Sequence, residues 1–256
     1  MLPPAPLALV ARLVRGRHHV RNFYDLHTGF FHDPKWQWAS SWTLRLLRGS
    51  TAIVTNTNLA TLCDRAGVRA HVLHDVLLRH DGQSIPGPYI VCPVSYSNDE
   101  PIDRILEAAG NLPDTRWLLT GEAPNGVRAK APANVEFSGF LSDTEYDAAL
   151  RNASLVVALT NRRDTMQRAG YEALMRGVPV VTSDFEVLRD FFEDSAVYVA
   201  AGEVDLEHQI GVATKERASL AVRCQEVLSQ RIIEQDVELS RLRKLLDARS
   251  IIRKGN

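Results

Sequence analysis

The sequence contains little cysteine. Its three cysteines, Cys63, Cys92 and Cys224, are odd in number, widely spaced and nowhere arranged as a C-x-x-C pair. A disulfide framework and a zinc knuckle both need paired cysteines, so neither is indicated. The pattern fits a protein of the reducing cytoplasm.

The sequence also lacks an excess of charge of either sign. Its 30 lysines and arginines stand against 31 aspartates and glutamates, and the formal net charge is −1. A chain so balanced has no overall field that would gather nucleic acid or anionic membrane. Nucleic acid is therefore not expected as a partner, and any anionic ligand must be held by a local site.

Long hydrophobic runs are absent as well. The most apolar N-terminal stretch, residues 2–14, contains Arg12, and it is shorter than the roughly twenty apolar residues that cross a bilayer. It has no small-residue cleavage site of a secretion signal.

Residues 5–16 have apolar side chains at helical spacing and predict an amphipathic helix. Its basic face, with Arg12, Arg15 and Arg17, suits either solvent or peripheral contact with anionic lipid at the inner face of the membrane.

The pattern of elements indicates two α/β domains and a helical tail. In the first part, strands at 51–54 and 71–73 flank a helix at 58–66, and an aromatic-rich loop at 30–42 is followed by a short helix around 43–47. Gly, Pro and polar residues concentrate in HDGQSIPGP, which is typical of a linker. We predict a partial Rossmann-like domain at residues 1–80, a linker at 81–88, a Rossmann-like domain at 89–214 and a helical tail at 215–256.

Strands and helices alternate regularly from residue 89 onward. Continuous apolar strands, such as 155–159 and 178–181, are separated by helices, which implies a parallel sheet covered on both faces. Ser142 and Glu145 form a capping-box pair that begins one of these helices. The turn after the first of these strands reads SYSNDEP and not G-x-G-x-x-G, which argues against a dinucleotide-dependent oxidoreductase.

Polar and charged residues gather at three strand-to-helix turns, residues 95–101, 121–126 and 161–167. In a doubly wound sheet, ligands bind beyond the carboxyl ends of the strands, and anions favour helix N-termini. The third turn leads into a helix predicted over 166–176. Asp164 at its mouth and Glu172 within it would lie about 12 Å apart along an ideal helix. That separation suits an extended ligand better than a pair of acid/base carboxylates.

The segment DTMQRAGYEALMRGVPVVTSD, from Asp164 to Asp184, resembles the donor-binding domain of the retaining GT-B-fold glycosyltransferases of the group 1 type. That family has two acidic residues separated by seven, followed by Ala, a helix end at Gly and a strand. The resemblance continues through residues 89–109 and through LLTGEAP, VEFSGFLSDTEY and SDFEVLRDFF. It implies an α/β GT-B-like fold with a donor domain and a partial acceptor domain. It also implies transfer of a sugar from a nucleoside diphosphate to a saccharide or lipid-linked acceptor, as in glycan biosynthesis.

The resemblance also assigns roles to residues at the three turns. Glu172 would bind the ribose hydroxyls of the nucleotide, and Asp164 would be the catalytic residue that approaches the donor sugar. The amides of Thr165, Met166 and Gln167 would face the diphosphate. Ser95 and Gly121 would complete the donor-binding site from the neighbouring turns.

The sequence departs from the family pattern at three positions. Asp164 is one methylene shorter than the family's usual Glu, and Ser95 and Glu100 occupy positions where the family commonly has Arg and Lys. Cations from elsewhere should then neutralise the diphosphate. Arg163 and Arg168, with Arg162 beside them, are the candidates, because a guanidinium group fits phosphate. Solvated surface arginines would give the same pattern.

On the acceptor side, the resemblance points to His27, in DLHTG, as a second catalytic candidate that binds donor or acceptor hydroxyls. A histidine hydrogen-bonded within its loop is the alternative. Neither a metal nor a cofactor is expected beyond the nucleotide sugar itself, because helix dipoles and cations take the place of a metal in this fold. The first part of the acceptor domain is expected to be missing. A non-catalytic nucleotide-sugar-binding or interaction protein with a degenerate, truncated fold is therefore the alternative function.

Overall fold

The computed structural model describes residues 23–35, 37–80, 87–200 and 206–247, together with Val10. Most of the predicted helix at 5–16, residues 81–86 of the predicted linker and the last residues of the predicted tail lie outside the described residues. The chain forms two compact units, one of residues 1–76 with 233–256 and one of residues 77–232. The four domain ranges expected from the sequence stay predictions.

The first unit contains a three-stranded parallel sheet of order β1-β2-β3. Its elements are β1 (Phe23–Leu26), α1 (Thr28–His32), α2 (Gln37–Leu46), β2 (Thr51–Val54), α3 (Thr57–Arg65) and β3 (Arg69–Val72). Helix α3 begins where the Asn56 side chain accepts a hydrogen bond from the Leu59 amide at 3.0 Å. Leu59 and Cys63 on the inner face of α3 are completely buried in the core of this unit.

Most of the described residues in the aromatic-rich segment at 30–42 are helical, in α1 and α2, so the prediction of a loop there was wrong. Residues of α2 such as Ala39, Thr43 and Leu44 recur at helical spacing and are buried, and Leu44 belongs to the same core as the strand residues Leu26 and Ala52. The two described tryptophans of α2 lie on the other side, with Trp38 81% exposed and Trp42 49% exposed. Because these two tryptophans face outward, the sequence of α2 does not show the apolar stripe of an amphipathic helix. Trp36 lies outside the described residues.

The second unit contains a six-stranded sheet of order β6-β5-β4-β7-β8-β9, in which all neighbouring strands are parallel. Its elements are β4 (Tyr89–Cys92), α4 (Ile102–Asn111), β5 (Arg116–Thr120), α5 (Asn125–Arg128), β6 (Val135–Gly139), α6 (Asp143–Arg151), β7 (Ala153–Ala158), α7 (Arg168–Met175), β8 (Val180–Ser183), α8 (Glu186–Phe192), β9 (Ala196–Val199), α9 (Leu206–Lys215) and the greater part of α10 (Arg217–Asp247).

Helices cover both faces of this second sheet, as the continuous apolar strands predicted. Val156 of β7 belongs to one hydrophobic core and its neighbour Leu155 to the other, because successive side chains of a strand point to opposite faces. Both residues are at most 1% exposed. Because all neighbouring strands are parallel, the carboxyl ends of the six strands lie along one edge of the sheet, and each strand-to-helix turn begins there.

The long C-terminal helix α10 contributes to both units. Its last part belongs to the first unit, where Glu238 pairs with His71 of β3 and also accepts a hydrogen bond from Arg241 at 2.9 Å. Its earlier part belongs to the second unit, where Cys224 is buried. Helical structure begins earlier than the predicted tail, because α9 (Leu206–Lys215) precedes α10.

The start of α6 offers a test of the local structure. The Ser142 hydroxyl accepts a hydrogen bond from the Glu145 amide, and the Glu145 carboxylate accepts one from the Ser142 amide, so the predicted capping box is confirmed. We expect Ser142→Ala to lower the free energy of unfolding of the second unit by about 1 kcal/mol, because it leaves a helix amide without its cap. Thr144→Ala, an exposed change in the same helical turn, is the control. Equal unfolding curves for the two variants would contradict the prediction.

Candidate functional site

The three candidate turns follow β4, β5 and β7, which are neighbouring strands, and the structure brings them together. The turn after β4 contacts the turn after β7 through Asp99, whose carboxylate accepts a hydrogen bond from the Thr160 hydroxyl at 3.1 Å. The Asp99 carbonyl also accepts one from the Asn161 amide at 2.7 Å. These bonds fix two strand-to-helix turns against each other at the carboxyl edge of the sheet.

The turn after β5 approaches the turn after β4 through a glycine. Gly121 has a φ of +80°, and its amide donates to the Gly139 carbonyl at 2.9 Å. A Cβ atom at this position would lie 2.3 Å from the Val94 carbonyl oxygen. Glycine is therefore required here both for its backbone conformation and for the close approach of the two turns.

The turn after β4 closes around the carboxylate of Glu100. The Ser95 amide donates to both oxygens of this carboxylate, at 3.1 and 3.0 Å, and the Ser97 amide donates to one of them at 2.9 Å. The Ser95 hydroxyl adds a further contact at 3.2 Å. Ser95 and Glu100 are the residues that stand where the family resemblance would place cations, and here they bind each other.

Arginines flank the turn after β7. The Arg162 guanidinium donates to the Asn98 side chain at 2.8 Å and lies 3.6 Å from the Asp99 carboxylate, so it helps to hold the two turns together. Arg163 is exposed, and Asp164 next to it is half-buried. Of these two arginines, Arg163 therefore faces solvent, while Arg162 is committed to the neighbouring turn.

Helix α7 begins at Arg168, two residues later than predicted. The Gln167 side chain donates to the Leu159 carbonyl at 2.7 Å, and Gln167 itself is extended, with φ −86° and ψ 118°. The Thr165 amide donates to the Arg162 carbonyl at 3.3 Å within the turn. Thr165, Met166 and Gln167 therefore precede the helix, and its first amides are those of Arg168 and Ala169.

Glu172 lies one turn into α7 and is held from two sides. Its carboxylate accepts a hydrogen bond from the Tyr146 hydroxyl at 2.6 Å and one from Arg168 Nε at 3.0 Å. The Glu172 side chain is only 16% exposed, whereas that of Arg168 is 80% exposed. Burial, and then the hydrogen bond to Glu172, raise the pKa of Tyr146, so Tyr146 remains a protonated donor.

The second unit carries the sequence signal of a known family. Residues 87–230 match the family model described as glycosyl transferases group 1. The chain belongs to the group 1 glycosyltransferases. A search among curated proteins gives no significant match.

Solved structures resemble this group 1 glycosyltransferase over most of its length. HepE from Anabaena, in complex with UDP and glucose, is 17% identical and superposes with a TM-score of 0.75 over 93% of this chain and 75% of that one. Sucrose-phosphate synthase from Thermosynechococcus elongatus is 14% identical, with a TM-score of 0.76 over 94% of this chain and 71% of that one. TarM from S. aureus is 15% identical, with a TM-score of 0.69 over 94% and 53% of the two chains. These similarities confirm the GT-B-like fold.

Some residues that support the site in this glycosyltransferase were missed in the sequence. Arg176 donates to the Glu172 carbonyl at 2.7 Å and to the Asp147 carboxylate at 2.6 Å, and Asp147 also accepts from Arg151 at 2.6 Å. Although burial acts in the opposite direction, the hydrogen bonds from Arg151 and Arg176 lower the pKa of Asp147. This network fixes α6 against α7, and Tyr146 joins it from α6. The four-residue spacing of Glu172 and Arg176 in the sequence indicates a contact within one helix. The contact of Arg176 with Asp147 on α6 has no such signal.

His27 belongs to the first unit of this glycosyltransferase, where it follows β1. Its side chain is 59% exposed, and its Nε2 atom lies 3.0 Å from Asp25 Oδ2, so it is hydrogen-bonded within its own segment. A role for His27 at donor or acceptor hydroxyls stays a prediction.

Among the described residues, no group of three His, Cys, Asp or Glu side chains could hold a metal ion. Within the same residues, no helix combines the length and the apolar character needed to cross a membrane.

A comparison of two glycines tests the geometry of these turns. We expect Gly121→Ala to reduce the free energy of unfolding by on the order of 1–3 kcal/mol, because it forces an L residue into a positive φ against a backbone carbonyl. Gly126→Ala is the matched control, since a Cβ atom there would meet nothing within 4 Å. Urea denaturation of both variants measures the difference. If Gly121→Ala were as stable as Gly126→Ala, the close approach of the two turns would be refuted.

Proposed function

We propose that this group 1 glycosyltransferase transfers a sugar from a nucleoside diphosphate donor to a hydroxyl group of a saccharide or lipid-linked acceptor, with retention at the anomeric carbon. The observation that carries the proposal is the position of Glu172, which is held near the start of α7 in the unit that matches the family. HepE, which has the same fold, binds UDP and UDP-glucose. We therefore take UDP as the first nucleotide to test.

The contacts of Glu172 leave room for a ligand. A carboxylate has about four lone-pair positions, of which the Tyr146 hydroxyl and Arg168 Nε take two. The remaining positions could accept both ribose hydroxyls of a nucleotide. Because Tyr146 and Arg168 fix the carboxylate in one orientation, little side-chain entropy is lost when the ribose binds.

The reaction breaks the bond between the anomeric carbon and the diphosphate oxygen, and it forms a bond from that carbon to the acceptor oxygen, which releases its proton. Negative charge grows on the leaving diphosphate, and groups that stabilise this charge lower the barrier. In our proposal, the amides at the start of α7 and the guanidinium groups of Arg163 and Arg168 supply this stabilisation. Asp164 faces the donor sugar. The nucleotide sugar is a co-substrate, and we propose no metal or other cofactor.

The acceptor side of the proposal is assigned to the first unit. His27 would bind hydroxyls of the donor or acceptor through its exposed ring, which also hydrogen-bonds to Asp25. We place the reaction in the cytoplasm. A lipid-linked acceptor would bring the chain to the inner face of the membrane as a peripheral protein.

One observation favours a second candidate, a non-catalytic protein that binds nucleotide sugars. The turn after β4 carries Ser95 and Glu100 where an active member of the family would carry cations, and the Glu100 carboxylate occupies the turn amides. Such a site would stabilise a leaving diphosphate less well. Binding of a donor without its turnover would support this second candidate over the first.

The test is Glu172→Gln, which preserves the shape of the side chain but removes its charge. We expect UDP affinity to fall about tenfold or more, because hydrogen bonds to a charged carboxylate are lost, and we expect release of UDP from UDP-glucose to be abolished. Glu226→Gln, on the exposed side of α10, is the charge-matched control. Isothermal titration and a UDP-release assay measure the two effects.

Three results separate the possibilities. Turnover that depends on Glu172 supports the transferase. Binding that depends on Glu172, without turnover in any acceptor mixture, supports the binding protein. UDP binding that is equally strong in Glu172→Gln and in Glu226→Gln would contradict both.

A further inference from the structure

The segment from Ser95 to Ser97 has the form of an anion-binding nest. Tyr96, at its centre, has a φ of +57°, which is uncommon for a residue other than glycine. Consecutive residues that alternate into the left-handed region turn their backbone amides toward one point, and such concave groups of amides bind anions, including phosphates. Here the Ser95 and Ser97 amides both point at the Glu100 carboxylate, at 2.9–3.1 Å. The anion in this nest is thus a side chain of the protein itself.

The nest is held in place by contacts other than Glu100. The Tyr96 ring lies 3.5 Å from the position of a Cβ atom at Gly121, so it packs against the turn after β5. On the other side, the Ser97 hydroxyl donates to the Asp99 carboxylate at 2.7 Å, and Asp99 is bonded to Thr160 and Asn161. The amides would therefore keep their positions if the Glu100 side chain swung away.

The nest is also accessible to a ligand. Ser95 and Ser97 are exposed and Glu100 is half-buried. The Asp99 contacts tie the nest to the turn that leads into α7, the helix that bears Glu172. An anion in the nest and a ribose at Glu172 would therefore lie on the same edge of the sheet.

The geometry points to Glu100 as an internal competitor for the phosphate subsite of the donor. On this inference, which rests on the proposed function, the donor diphosphate binds to the Ser95 and Ser97 amides only after it displaces the Glu100 carboxylate. The exchange replaces one anion with another, and the displaced carboxylate stays tethered nearby, where it repels the diphosphate. Glu100 thereby sets the donor affinity of the site below that of a site with the usual cations.

The experiment compares UDP binding by the full chain in four forms: wild type, Glu100→Gln, Glu100→Ala and Glu107→Gln. Glu107 is exposed on α4 and provides the control for a change in net charge. We expect UDP to bind about tenfold more tightly to Glu100→Gln than to wild type, because one nearby unit charge is removed. Glu100→Ala should bind at least as tightly, and Glu107→Gln should match wild type. Uridine, which has no phosphate, should bind all four forms equally.

Salt provides a readout that a purely structural role of Glu100 would not change. The gain in UDP affinity from Glu100→Gln should shrink as sodium chloride is raised from about 0.05 M to about 0.5 M, since salt screens the repulsion between charges near the protein surface. In wild type, the amide signals of Ser95 and Ser97 in a ¹⁵N NMR titration should move when UDP is added. This second measurement needs no variant, so it stands even if the Glu100 variants do not fold.

The outcomes are distinct. If folded Glu100 variants bind UDP as wild type does, or more weakly, the inference is overturned while the proposed function stands. The same holds if UDP binds to wild type without moving the Ser95 and Ser97 signals. If no form binds UDP, UDP-glucose or any other sugar nucleotide in a panel of nucleoside diphosphate donors, the proposed function itself fails.

Discussion

The Asp99 carboxylate makes the contacts on which the arrangement of the candidate site depends. It accepts hydrogen bonds from Ser97 in its own turn, at 2.7 Å, and from Thr160 across the edge of the sheet, at 3.1 Å. Its side chain is only 13% exposed, so these bonds are shielded from competition with water. Hydrogen bonds therefore join the turn after β4 and the turn after β7 into one surface. Without Asp99, a ligand that touched both turns would have to order them first, and the entropy cost would lower its affinity.

Around this contact, the charges at the edge of the sheet largely neutralise one another. Arg162 lies beside Asp99, Arg168 pairs with Glu172, and Glu100 is bound to backbone amides. In our proposal, a diphosphate that binds here must replace existing ion pairs and hydrogen bonds. Its binding is therefore less favourable than binding to a site whose cations have no other partner. On our proposal, the GT-B-like fold is thus combined with ion pairs and hydrogen bonds that the donor diphosphate must displace. Membership of the family consequently predicts the shape of the site better than it predicts the affinity of the site for a diphosphate.

The parts of the structure that could be predicted from the sequence are those that depend on local patterns. Strand 51–54 has the predicted bounds because a short apolar run between polar residues leaves little choice, and the capping box at Ser142 needs only residues of one helical turn. Only the end of helix α2 was predicted, because the burial of its first turns depends on tertiary packing within the first unit. The start of α7 was misplaced because the bond from Gln167 to the Leu159 carbonyl is tertiary. The hydrogen bond from Tyr146 to Glu172 is equally invisible in the sequence, since nothing local links residues so far apart.

The two departures from the family pattern in the turn after β4 become one structural feature when their contacts are considered together. A cation at position 95 with Glu100 present would face a carboxylate in the same turn, and it would form an ion pair in preference to binding a phosphate. A neutral residue at position 100 with Ser95 present would leave the amides of the turn open, but it would restore neither cation. Recovery of the usual charge therefore requires both positions to change, whereas loss of the carboxylate alone is enough to open the nest. On our proposal, this asymmetry explains how the turn can keep the backbone shape of a phosphate site while the Glu100 carboxylate opposes binding of the diphosphate.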